Sequence, residues 1–263
     1  MRTDYEYIFL GCSCFAMGCA AQKNEDCLIL EQNESIGGEF TEALYTTAVQ
    51  KPEGKALAFY EELIDRGIMS EESAQRGEIH LPAVQVVLNR LALEYHLHIL
   101  FRTQIIRIEK KEAGYEIEAV CNARILHFTC RKIIDTRSSD FDLIRRHDPQ
   151  AQCYLPANLH APHIPHAPWP GAEIRKGFLP GEAFLQMQFP APSPWNRGLL
   201  MKAFEDRPGD YLPLTLLLIP QNHGISCQKI RVETAYGLFI PGCSFGNPVQ
   251  AWEAGLNEKE AFC

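Results

Sequence analysis

Residues 5–40 read YEYIFLGCSCFAMGCAAQKNEDCLILEQNESIGGEF, and the order of textures in that stretch decides the fold. Tyr5–Leu10 is rich in β-formers and stops at Gly11. Small residues follow (Cys12, Ser13, Cys14, Ala16, Gly18, Cys19, Ala20 and Ala21), which suits a helix packed closely on a sheet. Asp26–Glu31 is apolar between its two acids, as expected of a strand buried on both faces of a parallel sheet. The stretch predicts a β-α-β crossover.

Such a crossover holds a dinucleotide when a tight turn, a close backbone approach and a helix N-terminus meet at the pyrophosphate. The usual spelling is GxGxxG with an acid about 20 residues on. Here the aligned positions are Gly11, Ser13 and Ala16, with Cys14 and Phe15 between them. Glu31 closes the second strand at that acid's distance, followed by Gln32. A carboxylate there can accept both hydroxyls of an adenosine ribose. Ser13 adds a side chain where phosphate would approach, with a hydroxyl able to donate.

Outward from the crossover, Ala56, Leu57, Phe59, Tyr60, Leu63 and Ile64 form a helical stripe over 55–66 that Gly67 stops. Pro82 opens a second helix with Val84, Val87, Leu88, Leu91 and Tyr95 on its apolar side. Leu97–Phe101, Gln104–Ile108, Tyr115–Val120 and Arg124–Thr129 read as short strands, the last three as an antiparallel meander. Lys132–Asp135 reads as a separate buried strand. The proline density over 148–225 disfavours long helices and predicts short edge strands, Leu212–Ile219 the best of them. The end returns to α/β, with a strand at Tyr236–Ile240, a turn at Gly242 and a helix from Pro248 to Glu260.

The run FLGCSCFAMGCAAQKNEDCLILEQNESIGGEF resembles the N-terminus of FAD-dependent oxidoreductases of the glutathione-reductase-like group. In that family a glycine pair close to the flavin follows the strand-two acid; Gly37-Gly38 matches it. Residues 81–120 resemble the family's helix, strand and meander, and Thr103-Gln104-Ile105 matches a turn that holds adenine through its backbone. KIIDTRSSD resembles the motif usually written DATGD, with Thr136 kept and Arg137 replacing the glycine. TAYGLFIPGCSFGNPVQAWEAG resembles the C-terminal segment facing the flavin, with Gly242 kept and Cys243 replacing the aspartate that usually holds the ribityl chain.

The resemblance implies an α/β fold: a Rossmann-like FAD-binding domain with an antiparallel β-meander insertion and a small β-rich substrate lobe. Residues 1–147 would form the FAD-binding domain, with a helical insertion at 41–81 and the meander at 103–130. Residues 148–230 would form the proline-rich cap, and 231–263 would return to the first domain. FAD would lie along Gly11, Ser13, Glu31, Gly38, Ile105, Thr136 and Gly242, and hydride or electron transfer to a small-molecule substrate would follow, served by an external donor or acceptor. No catalytic acid or base is identifiable. Two rivals stay open: a non-catalytic binding or assembly protein on a degenerate flavoprotein fold, and an NAD-binding enzyme using only the first crossover. A homodimer is compatible with either.

Composition trims other classes. The net charge of −8 over 263 residues gives no general footprint for nucleic acid or anionic lipid. No stretch reaches the roughly 18 apolar residues of a membrane span. The segment before the first apolar run carries Arg2, Asp4 and Glu6, net acidic where an export signal wants positive charge, so a cytoplasmic protein is expected. The ten cysteines form no CxxC pair and read as reduced, mostly buried thiols. Cys12 and Cys14 read as packing; Cys243, beside a helix start, reads as small and buried, or as a redox thiol. His160, His163 and His166 recur every third residue between prolines, an extended ladder whose rings are about 9 Å apart and do not converge on one metal. Arg137 would pair with Asp140 on the surface or face an anion. Trp195 and Trp252 are expected to be buried.

Overall fold

The computed structural model describes residues 2–165 and 169–259. The expected crossover is present: β1 (Asp4–Leu10), α1 (Cys14–Lys23) and β2 (Cys27–Leu30). A one-turn helix α2 (Gly38–Thr41) follows, then α3 (Ala56–Asp65), α4 (Glu71–Gln75) and α5 (Leu81–Glu94). The short strand β3 (Ile99–Leu100) leads into the meander β4 (Thr103–Lys111), β5 (Gly114–Cys121) and β6 (Arg124–Asp135). After α6 (Phe141–His147), the strands β7 (Gln152–His160), β8 (Ala172–Lys176), β9 (Glu182–Phe189), β10 (Thr215–Leu218) and β11 (Gly224–Ser226) form a second sheet, which with α7 (Asn196–Glu205) makes the lobe. β12 (Val232–Thr234), β13 (Gly237–Phe239) and α8 (Pro248–Leu256) return to the first domain.

β3, β2, β1, β6 and β13 lie side by side and parallel, the Rossmann-like order, with β12 antiparallel at the edge. β6 corrects the sequence reading, which divides it in two. Its first half pairs antiparallel with β5, and from Thr129 onward it runs parallel to β1. One strand thus joins the meander to the parallel sheet.

The lobe departs further from expectation. β7 and β9 are eight- to nine-residue strands at the centre of a second sheet, not edge fragments. Pro156 is tolerated because β11 covers 152–154 and β10 covers 158–160, so the second edge of β7 is unpaired around it. The expected strand at Leu212–Ile219 contracts to β10, and the ten-residue α7 occupies a stretch whose proline density disfavours long helices. Trp252 is buried between Phe59 and Tyr95, as expected. Trp195 is 79% exposed, contrary to expectation, because it precedes the first turn of α7 on the outer surface. His160 ends β7; His166 and Cys263 lie outside the described residues.

Glu182 latches the lobe to the first domain. Its Oε1 lies 2.5 Å from His80 Nδ1 at the start of α5, and its Oε2 accepts the amides of Phe178 (3.1 Å) and Leu179 (3.2 Å). Gln186 Nε2 donates to the Leu44 carbonyl at 3.3 Å beside it. Glu182→Ala removes a buried acceptor from three donors and is expected to destabilise the protein by about 2–3 kcal/mol in urea unfolding. A loss below about 0.5 kcal/mol, the scale of a neutral surface change, would show that the latch carries no stability.

Candidate functional site

The strand order reverses at β1, where β2 leaves to one side and β6 lies on the other, and ligands of open α/β sheets bind beyond the strand ends at such a point. A hollow of about 330 Å³ opens there, lined from the first domain by Gly11, Ser13, Glu31, Gln32, Gly38, Glu39 and Glu42, and by Thr136 and Arg137 after β6. The lobe contributes Asn222, His223 and Ile225. A larger hollow of about 630 Å³, between the meander and β13, lies away from the strand ends and collects none of the expected residues.

The turn after β1 follows the dinucleotide pattern in its backbone. Gly11 has φ +93° and its amide donates to Leu30 at 2.8 Å. Thr136 Oγ1 donates to the Gly11 carbonyl at 2.9 Å, tying the turn to the end of β6. Gly37 has φ +64° and lies against Leu88, where a Cβ would approach to 2.6 Å. Ser13, a departure from the glycine pattern, has a structural reason: its Oγ accepts the Ala16 amide at 3.0 Å and caps α1.

The side chains around this backbone point inward. Glu31 Oε2 accepts the Cys12 amide at 2.6 Å and Oε1 the Asn33 amide at 2.7 Å. Glu39 Oε1 accepts the Cys14 amide at 2.7 Å, at the first turn of α1. Gly242 packs directly on both: a Cβ there would lie 2.8 Å from Ser13 Cβ and 3.1 Å from Glu39 Cδ. Arg137 does not pair with Asp140; its Nε and Nη2 grip Asp135 at 2.9 and 2.6 Å, and its stem lies against Gly11.

Burial pushes the Glu39 carboxyl up to about 7, partly offset by the Cys14 amide. Burial, with Glu39 near both and Glu31 near Cys12, holds the Cys12 and Cys14 thiols well above the ordinary thiol range, so both are packing groups. Burial lowers His223, which faces Asn196 Nδ2 at 3.0 Å. A raised carboxyl pKa in the folded state means that the native protein binds the extra proton. Stability from this group is present below about pH 4.5 and is lost as pH rises to about 7. Glu39→Gln should abolish that slope, leaving the variant on the order of 2–3 kcal/mol more stable than the unaltered chain at pH 8, after discounting for the open side of the hollow. Parallel unfolding curves for the two proteins between pH 4.5 and 8 would contradict this.

Not every expected residue reaches the hollow. Cys14, Phe15 and Ala16 are buried in α1, and Phe15 stacks on Phe245 at 5.2 Å. Ile105 packs in the apolar cluster beneath the meander, although Thr103 donates its amide to the Glu31 carbonyl at 2.9 Å. Cys243 is buried beside Cys227. Glu39, Glu42, Asn222 and His223 were not expected. Only Glu39 stood within the quoted stretch, directly after the glycine pair, where loop position alone suggests a solvated acid.

No family model matches the chain, and no curated protein matches it in sequence. Solved structures do match. A geranylgeranyl bacteriochlorophyll reductase-like protein from Thermoplasma acidophilum superposes with TM-score 0.62 at 12% identity, covering 97% of this chain and 76% of its own. Glycine oxidase from Geobacillus kaustophilus gives 0.59 at 12%, covering 97% and 93%. The myxobacterial chondrochloren halogenase, a variant of FAD-dependent halogenases, gives 0.59 at 9%, covering 97% and 72%. The fold is that of FAD-dependent oxidoreductases. At these identities the likeness establishes architecture alone. The chain spans 60% of a further match, BexE, described for oxidation in BE-7585A biosynthesis.

FAD does not fit the hollow as these side chains fill it. The amides of Cys12 and Cys14, which would face a pyrophosphate, are bonded to carboxylates of the protein itself. Three glutamates line the hollow against one arginine, and that arginine is bound to Asp135. A dianion placed there would meet like charge at close range. The volume lies at the low end of the ~300–1,000 Å³ that suits drug-sized ligands, and FAD is larger than those. Among the described residues no cluster of three or more His, Cys, Asp or Glu side chains is placed to hold a metal. None of the described helices is long and apolar enough to cross a membrane.

Proposed function

We propose that this chain is a binding or assembly protein built on the fold of FAD-dependent oxidoreductases, without resident FAD. One observation carries the reading: Glu39 sits on the Cys14 amide, where the cofactor's phosphates would have to lie. The missing acid at Cys243 and the paired Arg137 support it. The surplus of carboxylates in the hollow disfavours anionic ligands, and the overall charge of −8 argues against nucleic acid as a partner.

A second reading is favoured by a different observation. Gly11, Glu31, Gly38 and Thr136 converge on one crevice from separate segments of the chain, roofed by the lobe. On this reading the protein is a FAD-dependent oxidoreductase of an unidentified small molecule, and the redox chemistry is the flavin's. An NAD-binding enzyme would need the same phosphate position.

One experiment separates the readings. The purified full chain is examined for flavin absorbance and titrated with FAD and with NAD by thermal shift. A colourless protein with no shift at about 1 mM of either, binding weaker than roughly −4 kcal/mol, is expected. A yellow preparation or saturable FAD uptake would favour the oxidoreductase reading, and saturable NAD uptake alone the NAD-binding enzyme. Light scattering on the same sample measures whether the chain forms a homodimer.

A further inference from the structure

The hollow is not the molecule's only reactive place. Cys227 Sγ and Cys243 Sγ lie 3.5 Å apart. They come from different parts of the fold: Cys227 directly follows β11 of the lobe, and Cys243 lies in the loop before α8. Both are held from the backbone. β11 pairs with β7 up to Ser226, and the Gln228 amide donates to the buried Asp148 at 2.8 Å, so Cys227 is fixed on both sides. The Gly242 amide donates to the Thr136 carbonyl at 2.9 Å and the Cys243 amide to Ser138 Oγ at 2.9 Å. Cys227 is partly open to solvent and Cys243 is buried. The buried phenol of Tyr154 lies in the same region without a hydrogen-bond partner.

We propose that Cys227 and Cys243 are a thiol–disulfide exchange site that takes low-molecular-weight disulfides as its oxidant. The facing sulfurs, each held from the backbone, have about 1.5 Å to close from 3.5 Å to the roughly 2.0 Å of a bond. The asymmetry in exposure assigns the roles. Cys227, reachable from solvent, loses its proton and attacks one sulfur of the small disulfide; that S–S bond breaks, a mixed disulfide forms and one small thiolate leaves. Cys243 gives its proton to that thiolate and attacks Cys227 Sγ, expelling the second small thiolate, which takes up the proton Cys227 released. Two protein thiols are oxidised to one disulfide, and one small disulfide is reduced to two thiols. The contact of Cys243 with Cys227, and then its burial, hold its thiol well above the ordinary range, which suits the second attacker rather than the first. The new bond joins the lobe to the loop whose Gly242 abuts Glu39, so oxidation fixes the wall of the hollow. The site stands on its own geometry, whether or not the hollow accepts FAD.

Trypsin places the two sulfurs on separate peptides, 203–229 and 232–259, with no other cysteine in either. The full chain is equilibrated with glutathione and glutathione disulfide, quenched in acid, alkylated in denaturant and mapped by mass. The joined pair should form at a disulfide-to-thiol ratio roughly tenfold below any that modifies peptide 3–23, which carries Cys12, Cys14 and Cys19. Cys243→Ser should trap glutathione on Cys227. The proposal is overturned if both peptides stay alkylated in excess glutathione disulfide, or if Cys227 of the unaltered chain keeps glutathione without passing to the joined pair. The unaltered chain decides the matter even where the serine variant folds poorly.

Discussion

Glu39→Ala should take up FAD at least about 10²-fold more tightly than the unaltered chain. The Cys14 amide opens the first turn of α1, where the partial positive charge of the helix and its unbonded N–H groups favour an anion. Above about pH 7, where its raised carboxyl ionises, Glu39 already supplies one, covalently tethered, at 2.7 Å, so the comparison is made at pH 8. An incoming pyrophosphate must displace that acceptor and then tolerate the displaced charge beside it. Alanine removes both obstacles and leaves the turn, Thr136 and Gly242 in place. Two further variants divide the effect. Glu39→Gln keeps the bulk and the bond to Cys14 while removing the charge, so it should recover only part of the gain. Glu42→Ala should gain much less than Glu39→Ala, because Glu42 bonds to Asn222 and not to the turn, so its loss only relieves like charge. Equilibrium dialysis and flavin fluorescence read all three. If Glu39→Ala binds no better than the unaltered chain, the obstruction lies with Ser13 and Arg137. If the unaltered chain is already saturated with FAD, the binding-protein reading fails as a whole.

Why was the architecture legible while this plug was not? The crossover announces itself through texture: a β-rich run, a small-residue run and an apolar run ending in an acid are burial signals, and burial is what a sheet sandwiched by helices imposes. Glu31 lies where spacing places it, but its carboxylate bonds to Cys12 and Asn33 instead of facing outward. Spacing locates a Cα; it does not say which donor the side chain chooses. Ser13 shows the same limit. Read as a glycine lost, it is also an N-cap gained, and only the Ala16 amide at 3.0 Å reveals the second role. β6 was divided because its burial alternates while it faces β5 and becomes continuous once β1 and β13 flank it. One strand with two sets of neighbours carries two textures. In the lobe, prolines at 194 and 208 bracket α7 without entering it, so their density exceeded their meaning. The approach of Cys227 to Cys243 crosses from lobe to first domain and leaves no local trace.

The small residues of α1 were expected to let it lie close on the sheet; their sharpest use is against another helix. Gly18 faces α8 so closely that a Cβ would sit 2.4 Å from the Trp252 carbonyl oxygen and 3.1 Å from Gly255 Cα. From the other side, a Cβ on Gly255 would sit 2.3 Å from the Phe15 carbonyl oxygen. These neighbours are backbone atoms inside two helices and cannot turn aside as a side chain would. Gly18→Ala and Gly255→Ala should therefore each cost about 3 kcal/mol, the upper part of the overpacking range, even though alanine favours a helix by about 0.5–1 kcal/mol over glycine. At roughly 2–4 °C per kcal/mol for a chain of this size, Tm should fall by about 6–12 °C. Gly198→Ala is the matched control. It lies in α7 with nothing within 4 Å of its missing Cβ, so the helix preference acts alone and stability should rise by a few tenths to about 1 kcal/mol. The contrast excludes a general effect of alanine. The consequence reaches the candidate site, because α1 begins at the Cys12–Cys14 turn and α8 follows the Gly242–Cys243 loop. Forcing the helices apart should draw Gly242 away from Ser13 and Glu39 and separate the facing sulfurs of Cys227 and Cys243. Slower formation of the joined peptides in Gly18→Ala, measured below its lowered Tm, is therefore expected. Stability within about 1 kcal/mol of the unaltered chain for both variants would mean that the helices do not cross at these glycines.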